Sequence, residues 1–361
     1  ISGMSEDLMA TVGCLEQLGA KIKISGENVE VTPAEKYPES AVLDCGESGS
    51  TLRFFIPLFL LSGHEATLLG RGRLPQRPQE VYETLCRQQH LLFTRTAEGI
   101  TLCGPLRGGE LTLPADISSQ FISGLMYVLP LLEGDSNIKL IPPVDSRSYI
   151  DLTIKALSRF GIEAKWSDEN TISIAGGQHY TPSSVTIEGD YSNAAFLEVF
   201  NTLDGQVTVK GLDSDSRQGD RVYFDYFSRL MGGMATLDIS NCPDLGPVLF
   251  VVAATHYGGT FTGTKRLAIK ESDRGRVMCE ELAKFGITST FDEDCITIDG
   301  GEPVAPTEII HGHNDHRIVM AMATMLTLTG GEVDDAGAVN KSFPDYFDRI
   351  RKLGIEVEVM E

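Results

Sequence analysis

The stretch IKESDRG, Ile269 to Gly275, gathers a lysine, a glutamate, a serine, an aspartate and an arginine between two ordinary structural runs. Carboxylates can give and take protons while lysine and arginine hold an anion, so these types together suit acid–base chemistry on an anionic substrate. They also suit a plain helix start. Ser272 and Asp273 are N-cap types, and RVMCEELAKFG, Arg276 to Gly286, spaces Val277, Leu282 and Phe285 along one face before a glycine stop. On that reading the charges are a solvated first turn. If the turn forms, Lys270 and Arg274, four residues apart, share a helix face with Glu271 adjacent.

Polar clusters of the same kind recur: CGESGSTLRF (45–54), GRGRLPQRP (70–78), ISSQFISGL (117–125), DSRSYID (145–151), EGDYSNAAF (188–196), NCPDLGP (241–247), HNDHRIVMA (313–321) and NKSFPDYF (340–347). Each falls at the start of a predicted helix or in the loop before it, where free N–H groups and a partial positive charge favour anions. Ser118, Ser119 and Gln120 offer two hydroxyls and an amide ahead of the apolar helix FISGLMYVLPLL, or else a cap and nothing more. In ESGSTLRF, Gly49 allows close backbone approach and Arg53 lies one turn on. Basic residues concentrate at these joints: Arg71, Arg73, Arg77, Arg147, Arg266, Lys270, Arg274, Arg317 and Lys341. Taken singly, each could merely pair with a neighbouring acid. In a chain with 30 basic and 51 acidic residues their placement predicts one anion pocket, suited to carboxylate and phosphate. HGHNDHR, His311 to Arg317, resembles a metal site in composition, but its spacing does not put ligands on one helix face and no HExxH pair occurs. No metal is expected, and the loop is read as delivering Asp315 and Arg317.

The net charge of −21 argues against nucleic acid as a partner, since phosphate-backbone binding wants a basic surface. The longest apolar run, FFIPLFLLSG from Phe54 to Gly63, contains Pro57 and falls short of the roughly 20 residues a membrane helix needs. ISGMSEDLMATVG at the start lacks the basic and apolar parts of a signal peptide. Seven cysteines, at 14, 45, 86, 103, 242, 279 and 295, show no CxxC spacing, so a reducing, cytoplasmic setting is expected.

One pattern returns along the chain: a helical segment, a pivot, then a short alternating strand pair. The copies are LEQLGAKIKISGENVEVTP, CRQQHLLFTRTAEGITLCG, LSRFGIEAKWSDENTISIAG, SRLMGGMATLDIS, LAKFGITSTFDEDCITIDG and IRKLGIEVEVME. Their pivots, Gly19, His90, Gly161, Gly232, Gly286 and Gly354, lie 71, 71, 71, 54 and 68 residues apart. Six such units in 361 residues predict an α/β chain of two pseudo-symmetric domains, three units each, with helices packed inside sheets. The seam is placed at GGQHYTPSSVTIEGD, Gly176 to Asp190, giving domains 1–187 and 188–361. The first copy enters directly at a helix, MSEDLMATVGCLEQLG, and the chain opens with Ile1, so a missing amino-terminal strand and helix are expected.

These clusters carry a resemblance. In order, SGSTLRF, LPQRP, SSQF, RSYIDLT, EGDYSNAAF, IKESDR, NDHRIVMA and KSFPDYF are similar to the motifs of the 5-enolpyruvylshikimate-3-phosphate synthase (3-phosphoshikimate 1-carboxyvinyltransferase) family, across residues 1–361. The resemblance implies the enolpyruvyl transferase fold, two inverse αβ domains each of three βαβαββ units. It implies transfer of the enolpyruvyl group of phosphoenolpyruvate to the 5-hydroxyl of shikimate 3-phosphate in aromatic amino-acid biosynthesis, by a monomer, with no metal or organic cofactor. Carried over, Ser118, Ser119, Gln120, Ser146 and Tyr149 serve shikimate 3-phosphate, and Asp244 and Lys270 its hydroxyls. Gly49, Arg77, Arg274, Asp315, Arg317 and Lys341 match the phosphoenolpyruvate site, while Glu271 and Asp244 match carboxylates implicated in proton transfer and Lys270 a catalytic lysine. The first domain is thereby mainly the shikimate 3-phosphate binder, the second the source of phosphoenolpyruvate-binding and catalytic residues, and the cleft between them closes on substrate. Gly49 matches the glycine that leaves room for the inhibitor glyphosate. The chain departs at Glu47, where the family usually has asparagine, and at Arg266, where it often does, and lacks the family's amino-terminal Ser-Lys-Ser segment and arginine, which predicts weak binding and poor or no turnover for the chain as given. Two alternatives stand beside this: a transferase acting on UDP-N-acetylglucosamine, whose active loop carries a cysteine that GRGRLPQRP lacks, and a silent fragment that only binds.

Overall fold

The computed structural model describes residues 3–360; the expectation drawn from Ile1 lies outside them. The chain divides into two compact units between Thr186 and Ile187, within the polar stretch chosen from the sequence. Among the described residues, no helix is long and apolar enough to cross a membrane.

In the first unit Ser5 caps α1 (Glu6–Gln17), which leads into the hairpin β1 (Lys21–Ser25) and β2 (Asn28–Thr32). Two complete βαβαββ units follow. The first is β3 (Ser40–Asp44), α2 (Gly49–Ser62), β4 (Glu65–Leu69), α3 (Glu80–Gln88), β5 (Leu92–Arg95) and β6 (Gly99–Cys103). The second is β7 (Gly109–Pro114), α4 (Ser119–Val128), β8 (Ser136–Ile141), α5 (Arg147–Arg159), β9 (Ala164–Trp166) and β10 (Thr171–Ile174). Their sheets run β3-β4-β6-β5 and β7-β8-β10-β9, parallel across the first pair and antiparallel after it. The helix between each parallel pair is the inner one. α2 continues through Pro57 and, with α4, buries most of its length, because each is apolar nearly all round. The two pack closely at Gly124, where a Cβ would stand 2.4 Å from the Tyr82 hydroxyl and 2.6 Å from the Arg53 carbonyl. That hydroxyl lies 2.9 Å from the main-chain oxygens of both Arg53 and Phe121, its one proton shared between them, which pins α3 to both inner helices.

The second unit repeats the scheme in β11 (Ala235–Asp238), α8 (Gly246–Thr255), β12 (Gly259–Thr262), α9 (Arg274–Lys284), β13 (Ser289–Phe291) and β14 (Cys295–Ile298), with sheet order β11-β12-β14-β13. Ahead of it come α6 (Tyr191–Glu198) and α7 (Tyr223–Gly232); behind it α10 (His316–Thr329) and α11 (Tyr346–Lys352). α8 is buried throughout except at Thr255, and α10 packs on it. The strands expected beside α10 reduce to a single parallel bridge, Ile310 with Val333.

The repeat is corrected at two copies. SRLMGGMATLDIS is not a hairpin: β11 pairs in parallel with β12, and the pivot is Gly233 at φ +154° rather than Gly232, which ends α7. Among the described residues the sixth copy forms no strand pair: Ile355 and Val357 lean on the core, and no neighbouring strand completes a ladder. Elsewhere the pivots hold: Gly19, Gly161, Gly286 and Gly354 lie at φ +94°, +81°, +77° and +94°, and His90 adopts the same left-handed region at +59°.

Candidate active site

In the second unit one guanidinium organises three acids. Arg274 opens α9, whose cap is Asp273 accepting from Arg276 N, and its side chain is 2% exposed. Its Nε donates to Asp315 Oδ2 at 2.8 Å and its Nη2 to Asp315 Oδ1 at 3.1 Å. Nη1 donates to Asp244 Oδ1 at 2.8 Å, and Nη2 also to Glu271 Oε2 at 2.7 Å. Asp315, fully buried, caps α10 through Arg317 N at 2.9 Å and accepts from Ser272 N and Oγ at 3.2 and 2.9 Å. Lys270 Nζ donates to Asp244 Oδ1 at 3.0 Å.

The shared helix face expected for Lys270 and Arg274 does not form. Lys270 is extended at φ −83°, ψ −161°, ending a short 3-10 turn over Lys265–Ile269 before α9 begins. The two cations converge because both donate to one carboxylate oxygen of Asp244, a tertiary cause rather than a helical period.

Arg317, in the first turn of α10, donates from Nη1 to Asn193 Oδ1 at 3.1 Å. Lys341 Nζ donates to the Asn314 carbonyl at 2.6 Å. The loop ahead of α10 is wound tightly, with His313 and Asn314 both left-handed at φ +53° and +49°. Buried Glu281 braces it, accepting from His311 N at 2.9 Å and lying 3.0 Å from His313 Nε2. His311 Nδ1 turns to Asp334 Oδ2 at 2.6 Å, so the rings of HGHNDHR go to separate partners.

These charges set the proton affinities. Burial would raise the Asp244 carboxyl, but Lys270, Arg274 and Arg317 outweigh it and hold its pKa well below the usual range. Asp315 is lowered too: burial opposes, and the Arg274 guanidinium prevails. Burial pushes the Lys270 ammonium down against the attraction of Asp244. His316, buried and beside Arg317, is lowered to about 3, with Asp315 and Glu271 opposing and Arg274 adding to the fall.

His316 is therefore neutral in the folded chain, while its unfolded ring takes up a proton near pH 6.5. Its contribution to stability is complete above that pH and is lost as pH falls toward 3. Urea midpoints measured from pH 7 to 4 are expected to fall less steeply for His316→Asn than for the parent. Equal slopes would remove this role from His316.

In the first unit Ser118 caps α4, accepting from Gln120 N at 3.3 Å, and both Ser118 and Ser119 are buried. Buried Arg53 donates from Nη1 to Gln120 Oε1 at 2.7 Å and from Nη2 to the Pro78 carbonyl at 3.1 Å, tying the serine cluster to the residue after Arg77. Arg77 lies over Gly49 at the start of α2: a Cβ there would meet Nη1 at 2.7 Å. Ser146, left-handed at φ +54°, precedes α5, which carries Tyr149 in its first turn. Thr153 Oγ1 donates to the Tyr149 carbonyl at 2.9 Å and lies 2.7 Å from Ser123 Oγ, which ties α5 to α4. Of the departures, Glu47 sets its carboxylate against Gly72, where a Cβ would stand 2.7 Å from it, and Arg266 is buried in the turn before Lys270.

A family model described as EPSP synthase (3-phosphoshikimate 1-carboxyvinyltransferase) matches residues 4–238 and 232–350. A Clostridium perfringens 3-phosphoshikimate 1-carboxyvinyltransferase is 35% identical over 374 residues, 97% of this chain and 88% of that relative. The chain belongs to the EPSP synthase family. A relative of the same name from Brachyspira hyodysenteriae is 32% identical over 99% of this chain and 90% of its own length. Among solved structures, the EPSP synthase of Acinetobacter baumannii superposes with a TM-score of 0.78 at 24% identity, covering 99% of this chain and 90% of that one. The enolpyruvyl transferase NikO of Streptomyces tendae gives 0.72 at 14% identity over 97% and 87%. These two bear on the fold, and establish the α/β enolpyruvyl transferase architecture that the resemblance implies.

Within this member of the EPSP synthase family the second unit brings Asp244, Lys270, Glu271, Arg274 and Asp315 into one bonded cluster, with Arg317 following Asp315 on α10. In the first unit Gln120 joins the Arg77 segment through Arg53, and Gly49 meets Arg77 directly. Sequence reasoning assigned no role to Asn193 or Glu281, and read Ser272 only as a helix cap, whereas it donates to Asp315 and the cap is Asp273. Ser272 and Asn193 stand inside quoted motifs, while nothing in LAKFG or its surroundings singles out Glu281.

Proposed function

We propose that the protein is a 3-phosphoshikimate 1-carboxyvinyltransferase, joining phosphoenolpyruvate to the 5-hydroxyl of shikimate 3-phosphate with release of phosphate. The observation that carries this beyond family membership is the Arg274 hub, which sets two partly accessible carboxylates, Asp244 and Glu271, among fixed cations. Both substrates are anions, and preorganised cations cancel their repulsion without reorganising water. Phosphoenolpyruvate gains a proton at C3 while C2 takes the bond from the 5-oxygen, which loses its proton. The tetrahedral adduct then expels phosphate and gives up a C3 proton, leaving the vinyl ether. An acid and a base must act in turn. Glu271 is assigned the proton at C3; Asp244, ionised throughout the working range, is assigned to accept from the 5-hydroxyl, with Lys270 holding it.

Ser118, Ser119, Gln120, Ser146 and Tyr149 are assigned to shikimate 3-phosphate, with Asp244 and Lys270 at its hydroxyls. Gly49, Arg77, Arg274, Asp315, Arg317 and Lys341 are assigned to phosphoenolpyruvate, Asp315 acting by aligning Arg274. A cytoplasmic monomer is the accompanying reading: seven free cysteines support a reducing setting, and the monomer follows from the resemblance alone. Phosphate release from phosphoenolpyruvate that depends on shikimate 3-phosphate is the test. Release that instead required UDP-N-acetylglucosamine would overturn the assignment, and no release with either acceptor would favour the silent fragment.

Gly49→Ala gives a further check. Its Cβ would enter the space of the Arg77 guanidinium at 2.7 Å, and a long side chain can yield, so the fold should survive. The expected result is a raised KM for phosphoenolpyruvate and weaker inhibition by glyphosate, with the melting temperature nearly unchanged. An unaltered KM would detach Gly49 and Arg77 from that substrate.

A further inference from the structure

EGDYSNAAF is the one helix-start cluster to which no assignment above gives a task. Asp190 caps α6 by accepting from Ser192 N at 2.9 Å, which sets Asn193 in the first helical turn. Asn193 then bridges two distant segments. Its Oδ1 accepts from Arg317 Nη1 at 3.1 Å, and its Nδ2 donates to the main-chain carbonyl of Ser342, the residue after Lys341, at 3.3 Å. Phe196, three residues on and therefore on the same helix face, lies under the guanidinium, with Arg317 Cζ 5.3 Å from the ring centroid. One face of α6 thus grips Arg317 twice and the Lys341 segment once.

The grip leaves donors unused. Arg317 Nε, Ser192 Oγ and Ser342 Oγ are buried and have no hydrogen-bond partner among the described residues. Leaving such a group unsatisfied is costly, a cost that an anion's oxygens would remove. An amide is the side chain that fits this bridge, since it accepts from a guanidinium with one atom and donates to a carbonyl with the other. A carboxylate would repel the Ser342 oxygen, and an apolar residue would release both segments.

We infer that Asn193 is a positioning residue for phosphoenolpyruvate, fixing Arg317 and the Lys341–Ser342 segment in the orientation that meets the anion. This rests on the assignment of Arg317 and Lys341 to that substrate. Asn193 itself takes no part in proton transfer.

The test compares Asn193→Ala, Asn193→Ser, Arg317→Ala and the Asn193→Ala/Arg317→Ala double variant in steady-state assays with each substrate varied. Asn193→Ala is expected to raise KM for phosphoenolpyruvate about tenfold, the scale of a hydrogen bond to a charged group. KM for shikimate 3-phosphate, kcat and melting temperature should stay near the parent values. Serine, which keeps a hydroxyl able to accept from Arg317, should show a smaller rise. The double variant should be little worse than Arg317→Ala, because Asn193 acts through that arginine. A raised KM in Arg317→Ala with an unchanged one in Asn193→Ala would sink the inference and leave the site assignment standing. Parallel losses in both KM values, kcat and melting temperature would mark Asn193 as merely structural and overturn it. An unchanged KM in Arg317→Ala would bring down the site assignment, and the inference with it.

Discussion

Glu271→Gln is expected to lower kcat by roughly two to four orders of magnitude, the usual contribution of a positioned acid–base group, with KM values changed only a few-fold. The substitution is nearly isosteric. Glutamine can still accept from Arg274 Nη2, which stands 2.7 Å from Glu271 Oε2, so the hub should keep its geometry and only the proton is lost. Asp244→Asn follows the same logic, since one amide oxygen can accept from both Lys270 and Arg274, at 3.0 and 2.8 Å in the parent. The two variants need not fail alike. Asp244 is held well below the usual carboxylate range, which makes it a dependable acceptor but a weak base, so part of its loss should appear as poorer alignment of the 5-hydroxyl. Single-turnover measurement of phosphate release separates chemistry from product release. Near-parental rates in Glu271→Gln would strip that residue of the C3 proton.

Asp315→Ala should unfold the second unit far more readily. Asp315 is fully buried, takes two hydrogen bonds from an arginine side chain that is 2% exposed, and caps α10. Its removal leaves a buried cation without its bidentate partner, an event that costs about 3–5 kcal/mol, with about 1 kcal/mol more for the lost cap. For a unit of this size that is a fall in Tm of roughly 10 °C or more. Asp315→Asn, which can still cap the helix and accept one guanidinium bond, should lie between. A Tm within about 2 °C of the parent in Asp315→Ala would mean that Asp244 and Glu271 suffice to hold Arg274.

The sequence by itself determined where helices begin and what their first turns carry. Every polar cluster picked out for its composition stands at or just before a helix or 3-10 turn, because caps and first-turn charges act through backbone groups a few residues away. The same locality made the pivots readable. Five of the six lie at positive φ, and even His90 does, since the turn from helix into strand demands that conformation whichever residue occupies it. Resemblance in the ordered motifs supplied the family. What required the tertiary structure was pairing. Alternation in Ile355 and Val357 is visible in the sequence, but a strand exists only beside a partner, and β11 found its partner in β12 rather than in a following hairpin strand. Lys270 and Arg274 looked like neighbours on a helix and are instead gathered by Asp244, 26 and 30 residues away in sequence. Asp315 reaches Arg274 across 41 residues, and Asn193 reaches Arg317 across 124. Charge and hydrogen bonding depend on distance in space, which chain packing sets, so composition could say that an anion site exists while only the fold decided which acid each cation holds.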